Sequence, residues 1–319
     1  MKILVIGGSY FLGRWFVQLA HKEHDITVLN RGNIPVGLDG VKEIAADRHN
    51  DDELCKLESC GGFDAVVDFC AYGRGEIGQI LKHLSGPMPS RYIYVSTVDV
   101  YKKGTGAACD ETSELTDITE GRDEEKESDG TGVFSPETEY IIGKTELEHE
   151  LISECTSYGI KGVSVRPVIL YGPGNYAPRE SVYLEWIRTA GQIIHPVDAD
   201  GYFQMLYVAD AARGLIRLCE AKAGELKDAY NFCTDEILTY DSFERALAGA
   251  YCLYELGITE DNAFTRVDVT VETVTGRNIP LPFPLTKAES EEYSGKRFAG
   301  LGIPVTPLKE GLFACFRVG

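Results

Sequence analysis

The chain opens on Lys2-Ile3-Leu4-Val5-Ile6 and continues at once with Gly7-Gly8-Ser9-Tyr10-Phe11-Leu12-Gly13. The first run is short and apolar, as buried strands are. Glycines at both ends of the second run permit a tight turn that brings backbone N–H groups and a helix start close to a phosphate. Although the spacing differs from G-x-G-x-x-G, this order of elements predicts a dinucleotide site. We expect its contacts from Gly7, Ser9, Tyr10, Phe11, Leu12 and Gly13.

Short apolar runs alternate with helical patterns through the first two thirds of the chain. This alternation predicts an α/β fold with a Rossmann-like, doubly wound parallel sheet, because near-continuous apolar strands are buried on both faces. The predicted strands are Lys2–Ile6, Ile26–Leu29, Val41–Ala45, Ala65–Phe69, Tyr92–Ser96 and Gly162–Val165. The predicted helices are Phe11–His21, Asp52–Cys60, Gly75–Leu84 and Thr138–Tyr158.

The pattern changes near Gly172, where prolines and glycines become frequent. The elements predicted beyond it are a strand at Tyr202–Val208, a helix at Ala209–Glu220, a strand at Ala229–Phe232 and an extended run at Pro280–Pro284. We predict a dinucleotide-binding domain at 1–171, to which residues from about 203–233 return, and a smaller C-terminal substrate lobe over most of 172–319. Ligands of such folds bind at the carboxyl ends of the strands.

The net charge of the chain is −19, and no cluster of Lys and Arg offsets it. This charge repels nucleic acid and anionic membranes, so neither is an expected partner. Part of it lies in an acidic segment at about 110–129, interpreted as a solvated loop that could gate the site. The nine cysteines form no C-x-x-C pair, which fits a reducing compartment, and the start of the chain is unlike a signal peptide. We expect a soluble, cytoplasmic protein without a metal site.

The second predicted strand ends in Leu29-Asn30-Arg31-Gly32. NAD-binding sheets usually carry an acid here for the ribose hydroxyls, but this chain has Asn30 followed by Arg31. A guanidinium pairs well with a 2′-phosphate, so Arg31 slightly favours NADP over NAD, unless it is a solvated arginine. Asp47, after the third strand, is either an adenine contact or a cap of the strand end.

Further motifs follow in a fixed order. They are Val95-Ser96-Thr97-Val98-Asp99-Val100-Tyr101, Tyr140-Ile141-Ile142-Gly143-Lys144, Arg166-Pro167, Tyr171-Gly172-Pro173-Gly174-Asn175 and Tyr207-Val208-Ala209-Asp210. With the glycine turn, they resemble the extended short-chain dehydrogenase/reductase superfamily, in its NAD-dependent epimerase/dehydratase branch, over nearly the whole length. In local sequence, Leu29–Gly32 and Gln204-Met205-Leu206 most resemble bacterial relatives of the chloroplast stem-loop-binding proteins and of isoflavone-reductase-like proteins.

The resemblance implies a catalytic set. Tyr140 and Lys144 lie four apart on the predicted long helix and therefore share a face. A free tyrosine has a pKa of about 10, so an acid/base tyrosine needs a nearby ammonium, which in the family also binds the nicotinamide ribose. Thr97 takes the place of the hydroxyl that steadies the substrate oxygen, and Ser96 is the runner-up. The family positions beside the cofactor also include Cys70, Ala71 and Pro167.

Three departures from the family pattern narrow the function. Tyr10 replaces the middle glycine of the turn. Thr97-Val98-Asp99 stands where 4,6-dehydratases carry Thr-Asp-Glu, which counts against that reaction. Gly201-Tyr202-Phe203-Gln204 lacks the arginine that holds a sugar-nucleotide diphosphate.

The expected function is that of an NAD(P)-dependent epimerase or oxidoreductase that acts on a hydroxyl or carbonyl of a small, sugar-like molecule. The alternative is a dinucleotide-binding sensor or RNA-associated scaffold without catalysis. Homodimers built on the long helix are common in the family, so a second copy of the chain is a further candidate partner.

Overall fold

The computed structural model describes residues 1–104, 107–116 and 135–317. Its strands are β1 Lys2–Ile6, β2 Asp25–Asn30, β3 Lys42–Ala45, β4 Ala65–Asp68, β5 Arg91–Val95, β6 Lys161–Pro167, β7 Ile169–Tyr171, β8 Gln192–Pro196, β9 Met205–Tyr207, β10 Ala229–Phe232 and β11 Thr265–Val269. Its helices are α1 Phe11–Ala20, α2 Asp51–Leu54, α3 Glu76–Lys82, α4 Pro136–Ser157, α5 Glu180–Ala190, α6 Val208–Glu220, α7 Tyr240–Tyr254, α8 Val271–Gly276, α9 Lys296–Ala299 and α10 Leu308–Arg317.

Seven strands form one sheet in the order β10-β6-β5-β4-β1-β2-β3. Its neighbouring strands all run parallel. The predicted α/β fold with a Rossmann-like, doubly wound parallel sheet is therefore confirmed. The strand order reverses between β1 and β4, and ligands of such sheets bind in the crevice outside the carboxyl ends at that point.

The apolar runs of the sequence become strands because both faces of the sheet are covered. Residues 3–6 of β1 and all of β4 and β5 are buried. Helix α1 adds the buried stripe Leu12, Phe16, Val17 and Ala20. Helix α4 begins two residues before its predicted start, because Ser135 accepts the Thr138 N–H as N-cap and Pro136 suits the first turn.

The chain divides into two compact units. The first comprises Met1–Thr105, Asp110–Pro167 and Ala211–Phe232, and the second comprises Gly106–Cys109, Val168–Asp210 and Cys233–Gly319. In the second unit β7 pairs with β9 and β8 with β11. The predicted return to the first domain began at about 203, whereas in the structure the returning segment begins at Ala211, because β9 pairs with β7.

An aromatic cluster fills the second unit. Phe203 stacks on Phe283 with ring centroids 4.0 Å apart, and Phe243 meets Phe283 edge-on at 4.9 Å. Within the described ranges, no helix is long and apolar enough to cross a membrane. Most of the acidic segment at about 110–129, with its proposed gating role, lies outside the described residues.

Candidate active site

The glycine turn lies at the carboxyl end of β1. Gly7 and Gly8 have φ angles of 97° and 89°, which only glycine adopts readily. Tyr10 is extended and its side chain is 61% exposed, so the ring is not packed into the turn. Among the described residues, no side chain caps α1, and its first turn holds no acid. The turn therefore keeps the positive helix end and the backbone cradle that suit a phosphate.

Replacing Gly13 with alanine is expected to distort this turn. A Cβ at Gly13 would lie 2.8 Å from Gly8 Cα and 3.0 Å from Gly8 N, and backbone cannot yield as a flexible side chain does. We expect a loss of about 1–3 kcal/mol in unfolding free energy, measured by urea denaturation, together with weaker dinucleotide binding. Gly224→Ala is the matched control, because nothing lies within 4 Å of its Cβ position. Equal stability of the two variants would contradict this packing.

Asn30 ties the end of β2 to the glycine turn. Its Nδ2 donates to Ser9 Oγ at 3.0 Å, and its Oδ1 accepts the Gly32 N–H at 2.8 Å. Arg31 beside it is exposed. Asp47 accepts the backbone N–H of His49 at 2.9 Å, and this bond, with Arg31 nearby, lowers the pKa of the Asp47 carboxyl. Asp47 thus caps the chain after β3, at the same carboxyl edge of the parallel strands as the glycine turn.

Lys144 is buried where β4 and β5 end. Its Nζ donates to the carbonyls of Ala71 at 3.1 Å and Val95 at 2.9 Å. The same ammonium lies 4.6 Å from the ring centroid of Tyr72 and 4.9 Å from that of Tyr94. Since an ammonium has three donors, one remains beyond these two carbonyls.

Tyr140 lies one turn before Lys144 on α4. Its ring centroid is 5.7 Å from Lys144 Nζ and 6.3 Å from the Tyr72 ring, and the residue is 38% exposed. Gly143 lets α4 pass close to the backbone at Tyr72, because a Cβ there would collide with the Tyr72 carbonyl oxygen. The structure thus brings the predicted tyrosine and lysine together, with the phenol ring accessible and the ammonium buried.

The two candidate hydroxyls follow β5 directly. Thr97 Oγ1 accepts the Asp99 N–H at 3.2 Å and donates to Asp99 Oδ2 at 2.9 Å, so it caps the 3₁₀ turn Val98–Val100. Ser96 Oγ is buried without a hydrogen-bond partner among the described residues. Ser96 and Thr97 adjoin Val95, whose carbonyl holds the Lys144 ammonium. Both hydroxyls are therefore placed at the same strand end as Lys144.

A buried ion network lies beneath the other predicted cofactor positions. Arg48 donates to both oxygens of Asp68 at 3.0 Å and, against the effect of burial, holds the pKa of that carboxyl low. Asp68 in turn accepts the Cys70 N–H at 3.0 Å, which fixes the backbone leading to Ala71. Burial raises the pKa of the Cys70 thiol to about 11, so Cys70 lines the turn as a neutral group. Pro167 ends β6 opposite Phe232 of β10.

A second buried pair fixes α4 on the sheet. The two carboxylate oxygens of Glu148, one turn after Lys144, share the single Nε–H of Arg166 at 2.9 Å (Oε1) and 3.1 Å (Oε2), and Oε2 also accepts a bond from Nη2. Arg166 Nη1 donates to Tyr101 Oη at 2.8 Å, and that hydroxyl donates to Asn231 Oδ1 at 2.6 Å. The network thus joins α4 to β6 and β10.

The sequence reasoning missed several of these positioning groups. Glu148 carried a usable signal, since it continues the four-residue spacing of Tyr140 and Lys144. Tyr72 and Tyr94 carried none, because aromatic residues in or after a buried strand are ordinary core candidates.

The stability of the ligand-free protein is expected to rise above about pH 8 through Lys144. Burial, with Arg48 nearby, lowers the pKa of Lys144 to about 8. Between this value and about 10.4, the unfolded chain binds the proton and the folded protein does not, so the unfolding free energy rises by about 1.4 kcal/mol per pH unit. Below the folded pKa both states are protonated, and this slope vanishes. Urea denaturation against pH should lose the rise in Lys144→Met and keep it in the exposed control Lys102→Met; equal slopes would refute this assignment.

Comparisons with known proteins show which sequences and folds this chain resembles. The family model "NAD dependent epimerase/dehydratase family" matches residues 77–233. The chloroplast stem-loop binding protein of 41 kDa b from Arabidopsis thaliana is 27% identical over 264 residues. That alignment covers 78% of this chain but only 63% of the plant protein.

Solved structures share the fold over the whole chain. A UDP-glucose 4-epimerase of Thermus thermophilus, solved with NAD, has a TM-score of 0.69 at 18% identity and covers 100% of this chain and 98% of its own. A putative epimerase of Burkholderia cenocepacia has a TM-score of 0.72 at 17% identity, and the match covers 99% of this chain and 97% of that protein. A UDP-glucuronic acid 4-epimerase of Bacillus cereus, solved with UDP-glucuronic acid and NAD, has a TM-score of 0.70 at 18% identity. The match covers 100% of this chain and 98% of that protein. The family model spans just under half of the chain and the plant relative is 27% identical, so the chain is similar to the NAD-dependent epimerase/dehydratase family, and the solved structures show that it shares their fold.

Proposed function

We propose that the protein is an NAD(P)-dependent epimerase or oxidoreductase that acts on a hydroxyl or carbonyl of a small, sugar-like molecule. One observation carries this proposal: the Lys144 ammonium is buried on two carbonyls at the end of β4 and β5, 5.7 Å from the accessible Tyr140 ring. Burying an ammonium is costly. The two carbonyls and the rings of Tyr72 and Tyr94 offset part of that cost, and an ammonium beside an accessible phenol is the arrangement that acid/base catalysis by a tyrosine needs.

The residues present fit a dinucleotide. The cradle between Gly7 and Gly13 leaves no room for a Cβ at its close approach to Gly8, and it would hold the pyrophosphate. Asn30, Arg31 and Asp47 would surround the adenosine ribose and adenine. The remaining donor of Lys144 would bind the nicotinamide ribose, with Cys70, Ala71 and Pro167 beside the ring. When bound, the nicotinamide supplies hydride acceptance and return.

In this mechanism Tyr140 Oη takes the proton from a substrate hydroxyl as the carbon loses its hydride. The Lys144 ammonium favours the phenolate by its charge, since an opposite charge nearby stabilises the ionised form. The substrate oxygen would accept a hydrogen bond from Thr97 Oγ1, once that hydroxyl turns from Asp99, or from Ser96 Oγ, which has no partner among the described residues. In an epimerase, Tyr140 Oη would return the proton to the same substrate oxygen after the carbon regains hydride on its opposite face, whereas in an oxidoreductase the oxidised or reduced product would leave.

Thermal-shift titration with NAD, NADH, NADP and NADPH tests the binding. A ligand that binds the native state raises the melting temperature, and at about 100 times its Kd it adds about 2.7 kcal/mol. We expect a shift, larger for the phosphorylated pair if exposed Arg31 meets a 2′-phosphate, and Arg31→Ala should then remove the difference. Arg74→Ala, which changes another exposed arginine, is the control. No shift with any of the four would overturn the proposal.

We further propose that the reaction is not a 4,6-dehydration. Val98 occupies the position of the acid that would protonate the leaving hydroxyl, and it is a buried aliphatic residue. Asp99 is already engaged by the Thr97 hydroxyl and lies 3.6 Å from Lys103 Nζ. Incubation with nucleoside diphosphate sugars and free sugars, read by chromatography and by nicotinamide absorbance, distinguishes epimer, oxidised product and dehydrated product.

The second candidate is a dinucleotide-binding protein without catalysis, associated with RNA. Two observations favour it: the name of the plant relative, and the hydrogen bond by which the Thr97 hydroxyl donates to Asp99 and not to a substrate. The charge of −19 opposes it, because the phosphate backbone must be met by positive side chains. We expect no electrophoretic shift with a stem-loop RNA at physiological salt.

A further inference from the structure

Three metal-ligating side chains meet outside the proposed active site. They are Cys55 and Glu58, in the 3₁₀ turn Cys55–Ser59 that follows α2, and His83, which ends α3. One ligand atom from each lies within 4.8 Å of the others. These segments lead into the amino ends of β4 and β5, so the cluster lies toward the opposite edge of the sheet from the glycine turn.

The His83 imidazole is buried between two carboxylates. It is only 5% exposed, with Nε2 3.0 Å from Asp51 Oδ1 and Nδ1 3.3 Å from Glu58 Oε1. Asp51 is itself fixed by hydrogen bonds from Gln79 Nε2 and Lys82 Nζ. In the tautomer that donates its Nε2–H to Asp51, the Nδ1 lone pair is directed toward Glu58 and is available to a metal ion held between the two side chains.

The spacing suits a tetrahedral ion. Zinc bonds of about 2.0–2.1 Å to nitrogen and 2.0–2.2 Å to oxygen place the two ligand atoms about 3.4 Å apart at the tetrahedral angle. The Nδ1···Oε1 distance of 3.3 Å matches that edge. Cys55 is exposed, so its thiol can move by about an ångström to complete the set. The Asp51 carboxylate on Nε2 is the outer partner that orients ligating histidines elsewhere.

We propose that Cys55, Glu58 and His83 bind a zinc-class divalent ion, with water as the fourth ligand. Thiolate, imidazole and carboxylate together select zinc or cobalt over magnesium or calcium. The ion would join the turn after α2 to the end of α3.

The test uses the full chain, reduced and dialysed against a chelator. Zinc is titrated against a chromophoric competitor, and Co²⁺ is added separately as a spectroscopic probe. The wild type should bind one equivalent and show a sulfur-to-cobalt charge-transfer band. Cys55→Ser should lose the band, and Glu58→Gln, at an exposed site that folding tolerates, should weaken binding. Asp51→Asn should weaken the zinc Kd by about 10–100-fold.

Cys60→Ser is the matched control, because Cys60 lies five residues further on and its thiol contacts Lys42 Nζ at 3.3 Å instead of this cluster. It should bind zinc and cobalt as the wild type does. Absence of stoichiometric binding in the wild type would overturn the proposal. So would an unchanged cobalt band in Cys55→Ser, or unchanged zinc affinity in Glu58→Gln.

Discussion

Tyr140→Phe is expected to lower turnover by about 10²–10⁴-fold while the thermal shift with dinucleotide stays near the wild-type value. The substitution removes only Oη, the atom proposed to hold the proton. The ring keeps its place 6.3 Å from Tyr72 and 5.7 Å from the Lys144 ammonium. Initial rates on the sugar panel, with product read by chromatography, measure the loss.

Tyr72→Phe is the matched control for that experiment. Tyr72 also carries an exposed phenol over Lys144, at 4.6 Å, but follows β4 instead of lying on the helix face of the catalytic set. Its variant should turn over substrate close to the wild-type rate. Full activity in Tyr140→Phe, with dinucleotide still bound, would refute the proposed acid/base role.

Glu148→Leu is expected to lower the free energy of unfolding by about 3–5 kcal/mol. The leucine leaves the Arg166 guanidinium buried without its carboxylate, and a buried unpaired charge is among the costliest single changes in a protein. Urea denaturation, followed by far-ultraviolet circular dichroism, measures the loss. The exposed control Glu137→Gln should change stability by less than about 0.5 kcal/mol.

A double variant separates the pair from its desolvation cost. Glu148→Leu combined with Arg166→Met removes both charges, and replacing a buried pair by apolar groups is often close to neutral. We expect most of the lost stability to return. If the double variant is as unstable as Glu148→Leu alone, the loss arises from the shape of the leucine and the electrostatic explanation is wrong.

The main sheet could be predicted closely because its central strands β1, β4 and β5 are buried on both faces. Runs such as Lys2–Ile6 and Ala229–Phe232 have the same bounds in sequence and structure. The second unit could not be delimited in this way. Its short strands β7 and β9 pair across a separation of more than 30 residues, and α5 and α7 pack on an aromatic cluster whose members are dispersed along the chain.

The site was predictable in its parts and not in its connections. Helical spacing indicated that Tyr140 and Lys144 share a face, and the structure puts them together. The carbonyls that accept hydrogen bonds from Lys144 belong to the backbone, so the residue types in the sequence do not indicate them. Thr97 was preferred by its position as the hydroxyl that binds the substrate oxygen. In the structure its hydroxyl is hydrogen-bonded to Asp99, whereas Ser96 Oγ has no partner among the described residues, and this difference depends on local turn geometry.

Strand β10 reaches the first unit from late in the chain, next to β6. During synthesis on the ribosome, the six earlier strands of the sheet emerge more than 60 residues before this last one. Until residue 232 has left the exit tunnel, β6 presents an unpaired edge, and Tyr101 lacks its Asn231 acceptor. Such an edge is a template for pairing with other chains. Partly translated forms should therefore depend on chaperones, and truncation anywhere between β6 and β10 should yield aggregates instead of a smaller native domain.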